Sequence, residues 1–246
     1  MSGAFKILVV DDNRSLAEAL GDVFEAKGYE PTLAFDGVQA LEKVQQQRFD
    51  CILMDIRMPR LSGVDAFKEI KKLDPSIPVI LMTAYSVQGL IEEARAEGVL
   101  AILQKPVAVK KILGIVDELR GSSSLLITDA HPDTKLVETL SEHGARVVVA
   151  ANVREAISAA ASGNYDAVLL NAEIQGLTSA DNIALFKRCD PKCLIILMSV
   201  DPTQDYGPFV FAALQKPFRM QEVVSLLERV RTYKVQEKLG NKLFEV

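Results

Sequence analysis

Short apolar runs alternate with amphipathic stretches along the first half of the chain. Residues 7–10 form a continuous apolar run with the length of a buried strand. Leu16, Leu20 and Phe24 then recur at helical spacing, and Gly28 follows at a position suited to a helix C-cap. The same alternation predicts further strands at 29–35, 51–54, 79–82 and 101–103 and further helices at 37–47, 64–73, 87–97 and 109–119.

Continuous apolar strands of this kind are buried on both faces, which is typical of a parallel sheet covered by helices. Five strands, each followed by a helix, therefore predict an α/β fold of the doubly wound, flavodoxin-like type. In such a sheet, ligands bind at the carboxyl ends of the strands, near the point where the strand order reverses. We therefore expect functional side chains directly after the apolar runs.

The second half of the chain repeats the first, which indicates two tandem copies of one fold. We predict two five-stranded (βα)5 domains at residues 1–121 and 122–232, followed by a helical tail at 233–246. The matching segments are FDCILMD at 49–55 with YDAVLLN at 165–171, VILMT at 79–83 with IILMS at 195–199, and LQKP at 103–106 with LQKP at 214–217.

Two local features qualify this repeat. Two prolines and a glycine fall between residues 200 and 208, so the fourth helix of the second copy is predicted to be broken or missing. In the tail, Val235, Leu239 and Leu243 lie on one stripe. This stripe can dock on a partner or on the domain itself, although a stripe so short is typical of ordinary packing.

Composition excludes several classes of protein. The 246 residues are 49% hydrophobic, and 28 basic against 33 acidic residues give a net charge of −5. Neither half carries the basic surplus that nucleic-acid binding requires, so we expect neither a nucleic-acid partner nor a DNA-binding output domain. The first apolar run stops at Asp11, too early for a signal peptide or a membrane span, which predicts a cytoplasmic protein without membrane contact. The cysteines, Cys51, Cys189 and Cys193, form a poor zinc site and a poor disulfide framework.

Polar side chains follow four of the predicted strands of the first copy. Asp11 and Asp12 come after strand one, Asp55 after strand three, Thr83 after strand four and Lys105 after strand five. Each alone has an ordinary structural explanation, such as a helix N-cap or a turn. Clustered carboxylates, however, repel one another unless a cation joins them. All-oxygen ligands suit Mg²⁺, which commonly completes its shell with phosphate, and a carboxylate can attack phosphorus as a nucleophile.

At this point the sequence resembles a known family, the receiver domain of two-component response regulators. The similarity covers residues 4–120 in order and spacing, and a degenerate version extends over about 122–231. The motifs that carry it are ILVVDDN at 7–13, LMDIRMP at 53–59, LMTA at 81–84 and QKP at 104–106.

The resemblance implies a role for each matching residue. Asp55 matches the phosphoacceptor, which takes a phosphoryl group from a phosphohistidine on a sensor kinase. Thr83 and Lys105 match the hydroxyl and the ammonium group that contact this phosphoryl group, and the bond between the lysine and the following proline is typically cis. Asp12, Asp55 and the backbone carbonyl of Arg57 match the direct magnesium ligands, with Asp11 acting through water.

Two positions bear on signalling. Ile102 stands three residues before the lysine, where the family usually has an aromatic switch, so a readout must use another route. Arg57 and Tyr85 resemble the bulky pair of family members that lose their phosphate slowly. The resemblance therefore implies a long-lived phosphate.

The second copy keeps only part of the site. Asp129 and Lys216 match the first copy and Ser199 replaces the threonine, but Ala130 and Asn171 stand where a magnesium ligand and the phosphoacceptor would be. An amide cannot form an acyl phosphate, so we expect a pseudo-receiver without chemistry. The two histidines have structural explanations: His131 is a surface or capping residue, and His143 precedes Gly144 as a helix C-terminal cation.

Three functions fit these features. In the first, phosphorylation of Asp55 by a sensor histidine kinase with Mg²⁺ switches a surface that a downstream protein reads, with packing or dimerisation through the second copy. In the second, the protein is a phosphorelay intermediate that passes its phosphate to a histidine phosphotransfer protein. In both, the only catalysis is autocatalysed phosphoryl acceptance and slow autodephosphorylation. The third is a haloacid-dehalogenase-type phosphatase, which the adjacent Asp11 and Asp12 disfavour because that family carries a D-x-D pattern after its first strand.

Overall fold

The structure is a computed structural model in which residues 4–84, 88–121, 123–162, 165–174, 180–201, 209–240 and 243 are described. The first ten elements alternate strictly between strand and helix. For the nine of them whose bounds the sequence predicts, which are all except the first helix, the observed bounds differ by at most one residue at either end. They are β1 (Lys6–Val10), α1 (Arg14–Ala26), β2 (Glu30–Ala34), α2 (Gly37–Gln46), β3 (Cys51–Asp55), α3 (Gly63–Leu73), β4 (Val79–Thr83), α4 (Gln88–Ala96), β5 (Ala101–Gln104) and α5 (Val109–Arg120).

The second half repeats this alternation up to its fourth strand, after which the next element among the described residues is another strand. The predicted break in its fourth helix falls on residues 202–208, which lie outside the described residues. The elements are β6 (Ser123–Thr128), α6 (Thr134–Glu142), β7 (Ala145–Ala150), α7 (Val153–Ser162), β8 (Ala167–Asn171), α8 (Ala180–Cys189), β9 (Leu194–Ser199), β10 (Val210–Gln215) and α9 (Met220–Leu239).

Each half forms a five-stranded sheet in which every pairing is parallel. The strand orders are β2-β1-β3-β4-β5 and β10-β9-β8-β6-β7, which are the same order read from opposite edges. The predicted doubly wound, flavodoxin-like fold is therefore confirmed in both copies. In each sheet the order reverses beside the first strand, and this places the carboxyl ends of β1 and β3, and those of β6 and β8, next to each other.

Alternating side chains of the strands supply two apolar layers to each sheet. On β1, Ile7 and Val9 belong to one buried cluster, and Leu8 and Val10 belong to the other. The three inner strands β1, β3 and β4 are buried on both sides because helices cover both faces, as their continuous apolar sequences predict. The second sheet has the same two-layer core. All three cysteines are free thiols.

The chain divides into two compact units, each described here by itself. One unit contains residues 121–231, and the other contains Ala4–Arg120 together with Thr232–Val246. We call the latter the first unit and the former the second unit. Val235 and Leu243 of the tail are buried in the first unit's core, and Lys238 Nζ donates to Glu118 of α5 at 2.7 Å. The tail stripe thus takes part in core packing. Within the described part of the chain, no helix has the length and apolar character needed to cross a bilayer.

Candidate functional site

Three carboxylates meet at the carboxyl edge of the first sheet. Asp11 and Asp12 follow β1, and Asp55 ends β3, the strand beside it. One carboxylate oxygen from each lies within 4.8 Å of the other two. Asp11 and Asp55 are buried, whereas Asp12 is exposed. The strand order that follows from the apolar pattern therefore brings together the three acids that the sequence singled out.

Asp11 is held in place at both carboxylate oxygens. Its Oδ1 accepts the backbone N–H of Asn13 at 3.0 Å, and its Oδ2 accepts a hydrogen bond from Lys105 Nζ at 2.7 Å. Its own backbone N–H donates to the carbonyl of Ala34 at 3.2 Å. Asn13 in turn caps α1 by accepting the N–H of Leu16. The loop between β1 and α1 is thus held by hydrogen bonds of Asp11 and Asn13.

Lys105 links two of the three acids. Its Nζ lies 2.7 Å from Asp11 Oδ2 and 3.1 Å from Asp55 Oδ1. Burial lowers the pKa of Lys105, but the hydrogen bond that Lys105 donates to Asp11 and the charge of Asp55 outweigh this effect and raise the pKa above its ordinary value. Lys105 therefore stays protonated at neutral pH.

Asp55 is in a setting that disfavours its charge. Burial raises its pKa above the usual range, Lys105 opposes this increase, and the neighbouring charges of Asp11 and Asp12 add to it. A single ammonium group thus balances only part of the charge of three carboxylates. An added divalent cation would stabilise the ionised form of all three.

The backbone around Asp55 is fixed by a close contact that sequence analysis missed. A Cβ atom on Gly63, the first residue of α3, would lie 2.0 Å from the carbonyl oxygen of Asp55. The N–H of Gly63 donates to the carbonyl of Ile56 at 2.8 Å. Ser62 caps the same helix, and a Ser-Gly pair ahead of an amphipathic stretch is the signal that could have drawn attention to this position.

A second support, also missed, braces the loop between β3 and α3. Asp36 is buried and caps α2 by accepting the N–H groups of Val38 and Gln39, each at 2.9 Å. Its other oxygen pairs with the guanidinium group of Arg60. Arg60 has φ +68°, a left-handed conformation that is uncommon for arginine. The Asp36–Arg60 ion pair therefore ties the loop that follows Asp55 to the start of α2.

The remaining predicted residues lie at the same edge. Thr83 ends β4 and is almost fully buried, and its carbonyl accepts the N–H of Lys105 at 2.6 Å. The Lys105–Pro106 bond is cis, as the family resemblance implies. Arg57 is exposed in the loop after Asp55, and Ile102 is fully buried on β5. Tyr85, the proposed partner of Arg57, lies outside the described residues.

The corresponding edge of the second sheet has a different arrangement. Asn171 Nδ2 donates to Asp129 Oδ2 at 2.9 Å, and Lys216 Nζ donates to Asn171 Oδ1 at 2.8 Å. Ser199 is buried at the end of β9, and its carbonyl accepts the N–H of Lys216, while Ala130 is exposed. The Lys216–Pro217 bond is also cis. The amide of Asn171 thus joins the one carboxylate and the one ammonium group that this copy retains.

Both histidines lie where their sequence context predicts. His131 is exposed, and its backbone N–H donates to Asp129 Oδ1 at 3.0 Å. His143 is the C-cap of α6, and its Nδ1 lies 2.8 Å from the carbonyl oxygen of Thr139. His143 therefore contributes to the helix end.

Comparisons with known proteins agree with this geometry. The family model of the response regulator receiver domain matches residues 7–117. A response regulator receiver protein of Anaeromyxobacter sp. (strain Fw109-5) is 31% identical over 231 residues, which cover 92% of this chain and 94% of that protein. Sporulation initiation phosphotransferase F of Bacillus subtilis (strain 168) is 37% identical over 107 residues, 44% of this chain and 86% of that protein. Transcriptional regulatory protein ZraR of Escherichia coli (strain K12) is 47% identical over 100 residues, 41% of this chain and 23% of that protein. The match to the first of these extends over nearly the whole chain.

Proposed function

Because the chain belongs to the response regulator receiver family of two-component signalling, we propose that its first unit accepts a phosphoryl group on Asp55. The observation that carries this proposal is the meeting of Asp11, Asp12 and Asp55 at one sheet edge, with Lys105 bonded to two of them. Receiver domains in general are signalling modules rather than enzymes, so the only chemistry proposed is the transfer itself.

In this reaction a carboxylate oxygen of Asp55 attacks the phosphorus of a phosphohistidine. The new O–P bond replaces the P–N bond, and the histidine nitrogen keeps the electron pair of the broken bond and takes up a proton. Asp55 is suited to this attack because its backbone is fixed on both sides, by the sheet and by the contact with Gly63. Positioning and charge neutralisation then supply the rate enhancement.

The donor set fits magnesium. Asp12 and Asp55 would hold the ion directly, Asp11 would hold it through water, and the Arg57 carbonyl would complete the protein ligands. Carboxylate and carbonyl oxygens are the ligands that Mg²⁺ prefers, and the acids already lie within 4.8 Å of one another. A bound Mg²⁺ would neutralise charge on the phosphoryl oxygens.

Two further side chains would contact the transferred group. The ammonium group of Lys105, which already reaches Asp55, would pair with a phosphoryl oxygen. The hydroxyl of Thr83, at the end of the neighbouring strand, would donate a hydrogen bond to another. We also propose that Arg57 and Tyr85 shield the acyl phosphate from water and lengthen its lifetime.

We propose that residues 1–121 are the phosphoacceptor receiver, that 122–232 are a pseudo-receiver, and that 233–246 form a helical tail. In the second unit, Asn171 offers an amide in place of a nucleophile, and Ala130 offers no ligand. Its Asp129, Ser199 and Lys216 therefore have no phosphoryl group to hold. The signal from Asp55 would be read by a downstream protein through a change between two conformations of the receiver surface, and the pseudo-receiver would contribute packing or dimerisation.

A second candidate role is that of a phosphorelay intermediate. The similarity to a protein named as a sporulation initiation phosphotransferase favours it. In this role, Asp55 would take its phosphate from a sensor kinase and pass it to a histidine phosphotransfer protein. Incubating the phosphorylated chain with such a protein would show label on the phosphotransfer histidine for a relay and no transfer for a terminal switch.

The central test uses acetyl phosphate as phosphoryl donor. The full chain is incubated with Mg²⁺ and acetyl phosphate, and its intact mass is measured. We expect one added phosphoryl group that hydroxylamine removes, no addition in EDTA, and no addition to Asp55→Asn. Asp22→Asn, which changes an exposed acid on α1, should be labelled normally.

Two outcomes would contradict these proposals. A phosphoryl group that persists in Asp55→Asn would remove Asp55 as the acceptor. Two phosphoryl groups per chain would instead contradict the inactivity of the second unit.

A further inference from the structure

A cleft of about 470 Å³ lies beside the altered site of the second unit. Pockets for small molecules commonly have volumes of ~300–1,000 Å³. Nothing in the proposed phosphoryl transfer uses this cleft, since the transfer takes place in the first unit. The residues around it are Asp129, His131, Asp133, Leu136, Met198, Val200, Lys216, Pro217 and Phe218.

The loop that borders the cleft is longer than its counterpart. Three residues, 11–13, connect β1 to α1, whereas five residues, 129–133, connect β6 to α6. Three of these five, Asp129, His131 and Asp133, border the cleft. The second unit therefore differs from the first here in chain length as well as in side chains.

Two charged residues that border the cleft, Lys216 and Asp129, already have hydrogen-bond partners. Lys216 Nζ donates to Asn171 Oδ1 at 2.8 Å and to Glu173 Oε2 at 3.1 Å. The two oxygens of Asp129 accept hydrogen bonds from Asn171 and from the N–H of His131. A phosphate or a metal ion would have to displace these bonds. Residues 130 and 171 supply no carboxylate here, so the site lacks the oxygen ligands of the first unit, and its occupant is neither a phosphoryl group nor a divalent cation.

The walls of the cleft are largely apolar. Leu136 and Met198 are buried and Phe218 is half-buried, while Val200 is 62% exposed and Pro217 is also exposed. An apolar ligand body would cover the exposed part of this surface and gain the free energy of removing it from water. Methionine and aromatic side chains also suit flat ring systems.

The charged side chains that border the cleft favour one sign of ligand charge. Asp129 and Asp133 contribute two carboxylates against the one ammonium group of Lys216. One oxygen of Asp133, Oδ1, accepts the N–H of Lys135, and the residue is exposed. We propose that this cleft binds a small molecule with an aromatic apolar body and a single positively charged amine, whose amine pairs with the Asp133 carboxylate.

Three indole compounds of similar size test this proposal: tryptamine, which is cationic, tryptophol, which is neutral, and indole-3-acetate, which is anionic. Each is titrated into the full ¹⁵N-labelled chain carrying Asp55→Asn, in EDTA, so that phosphorylation and magnesium play no part. We expect tryptamine to cause saturable shifts in the amide signals of Asp133, Val200 and Phe218, with an affinity about fivefold above that of tryptophol.

Three variants locate the site. Asp133→Asn should remove the preference for tryptamine but retain tryptophol binding. Val200→Trp should fill the cleft and abolish binding of both compounds, and it should fold because Val200 is exposed. Leu73→Trp, at an exposed apolar position of the first unit, should bind as the parent chain does.

Several results would overturn the proposal. One is the absence of saturable shifts with any of the three compounds. Tightest binding of indole-3-acetate would show that Lys216 selects the ligand, and a cation preference that survives Asp133→Asn would contradict the role of that carboxylate. Cleft signals that move with protein concentration alone would identify a second copy of the chain as the occupant.

Discussion

In the first unit the ammonium group of Lys105 bonds two carboxylates directly, whereas in the second unit the amide of Asn171 stands between Lys216 and Asp129. The two sites occupy the same strand ends of the same fold. The first holds three acids within 4.8 Å of one another and leaves their charge only partly balanced. In the second, a neutral amide joins Asp129 to Lys216, and Lys216 also donates to Glu173.

This comparison shows which features the fold shares between the two units and which features are specific to the proposed reaction. Both sheets have buried strands and a cis bond before the proline, so neither feature distinguishes the two units. Two replacements do: the amide of Asn171 stands in place of the proposed nucleophile Asp55, and Ala130 stands in place of the proposed magnesium ligand Asp12. They convert a site whose negative charge is only partly balanced into one in which a neutral amide bonds both Asp129 and Lys216.

The largest expected effect comes from Gly63→Ala, which tests the backbone support of the acceptor. The added Cβ would meet the Asp55 carbonyl oxygen at 2.0 Å, so α3 or β3 must move. We expect a loss of about 3 kcal/mol in the first unit. Hydrogen exchange should show it as faster exchange in peptides from β3, with unchanged exchange in peptides from β8.

Gly114→Ala is the matched control for this change. An added Cβ there meets nothing within 4 Å, and the residue lies within α5. This variant should be more stable than the parent chain by up to about 1 kcal/mol. A Gly63→Ala chain with normal exchange in β3 and normal labelling of Asp55 would remove Gly63 from the account of the site.

Asp12→Ala copies Ala130 of the second unit into the first. It removes one of the two proposed direct carboxylate ligands, so we expect the affinity for Mg²⁺ to fall about 30-fold. Calorimetric titration of the full chain with MgCl₂ measures this change. Asp22→Ala removes the same charge from an exposed position and should bind Mg²⁺ normally. Equal affinities in the two variants would mean that Asp12 is not a ligand.

Asn171→Asp makes the reverse change in the second unit. The new carboxylate can still accept from Lys216, but it cannot donate to Asp129 and instead repels it. We expect a destabilisation of about 1 kcal/mol, visible as faster hydrogen exchange in β8. Adding Ala130→Asp should make this loss reversible by Mg²⁺, because three acids would then face one another. The control is Gln215→Glu, which adds the same charge at an exposed site.

A magnesium effect already present in the Gln215→Glu chain would show that the rescue is not specific to the rebuilt site. Unchanged exchange in Asn171→Asp would show that the amide does not contribute to stability.

The smallest expected effect concerns Tyr29. This residue follows Gly28, and the residue that follows the corresponding Gly144 of the second unit is Ala145. Burial and a hydrogen bond to Asp117 raise the pKa of Tyr29 from 10.0 to about 12. The folded state thus favours the neutral phenol. Its contribution to stability is complete below pH 10 and disappears as the pH rises to about 12.

Urea unfolding followed by circular dichroism at a series of pH values between 10 and 12 measures this loss. Tyr29→Phe should lose less stability than the parent chain over this interval, since phenylalanine does not ionise. Identical pH profiles for the two chains would assign the loss of stability to other groups.

The sequence was sufficient to predict the sheets and the acids because both depend on short-range pattern. A continuous apolar run predicts a buried strand, and the residue after it must lie at the sheet edge. Asp11, Asp12, Asp55, Thr83 and Lys105 all follow from this reasoning.

Features that depend on the approach of distant segments could not be predicted in this way. The contact of Gly63 with the Asp55 carbonyl depends on how closely α3 packs against the end of β3. The Asp36–Arg60 pair joins two loops whose separation in sequence carries no periodic signal. For Asn171, the sequence showed the loss of a nucleophile, but the hydrogen bonds of its amide to Asp129 and Lys216 required atomic positions.

Helix α9 contributes residues to both units. The part of α9 up to Arg231 belongs to the second unit, and the part from Thr232 belongs to the first, whose core includes Val235 and Leu243. After Arg120 the chain forms the whole of the second sheet, and from Thr232 onwards it belongs to the first unit again. Along the sequence, the second unit is thus inserted between two segments of the first unit. A stop codon or a protease cut after Arg231 would remove Val235 and Leu243 from the core of the first unit.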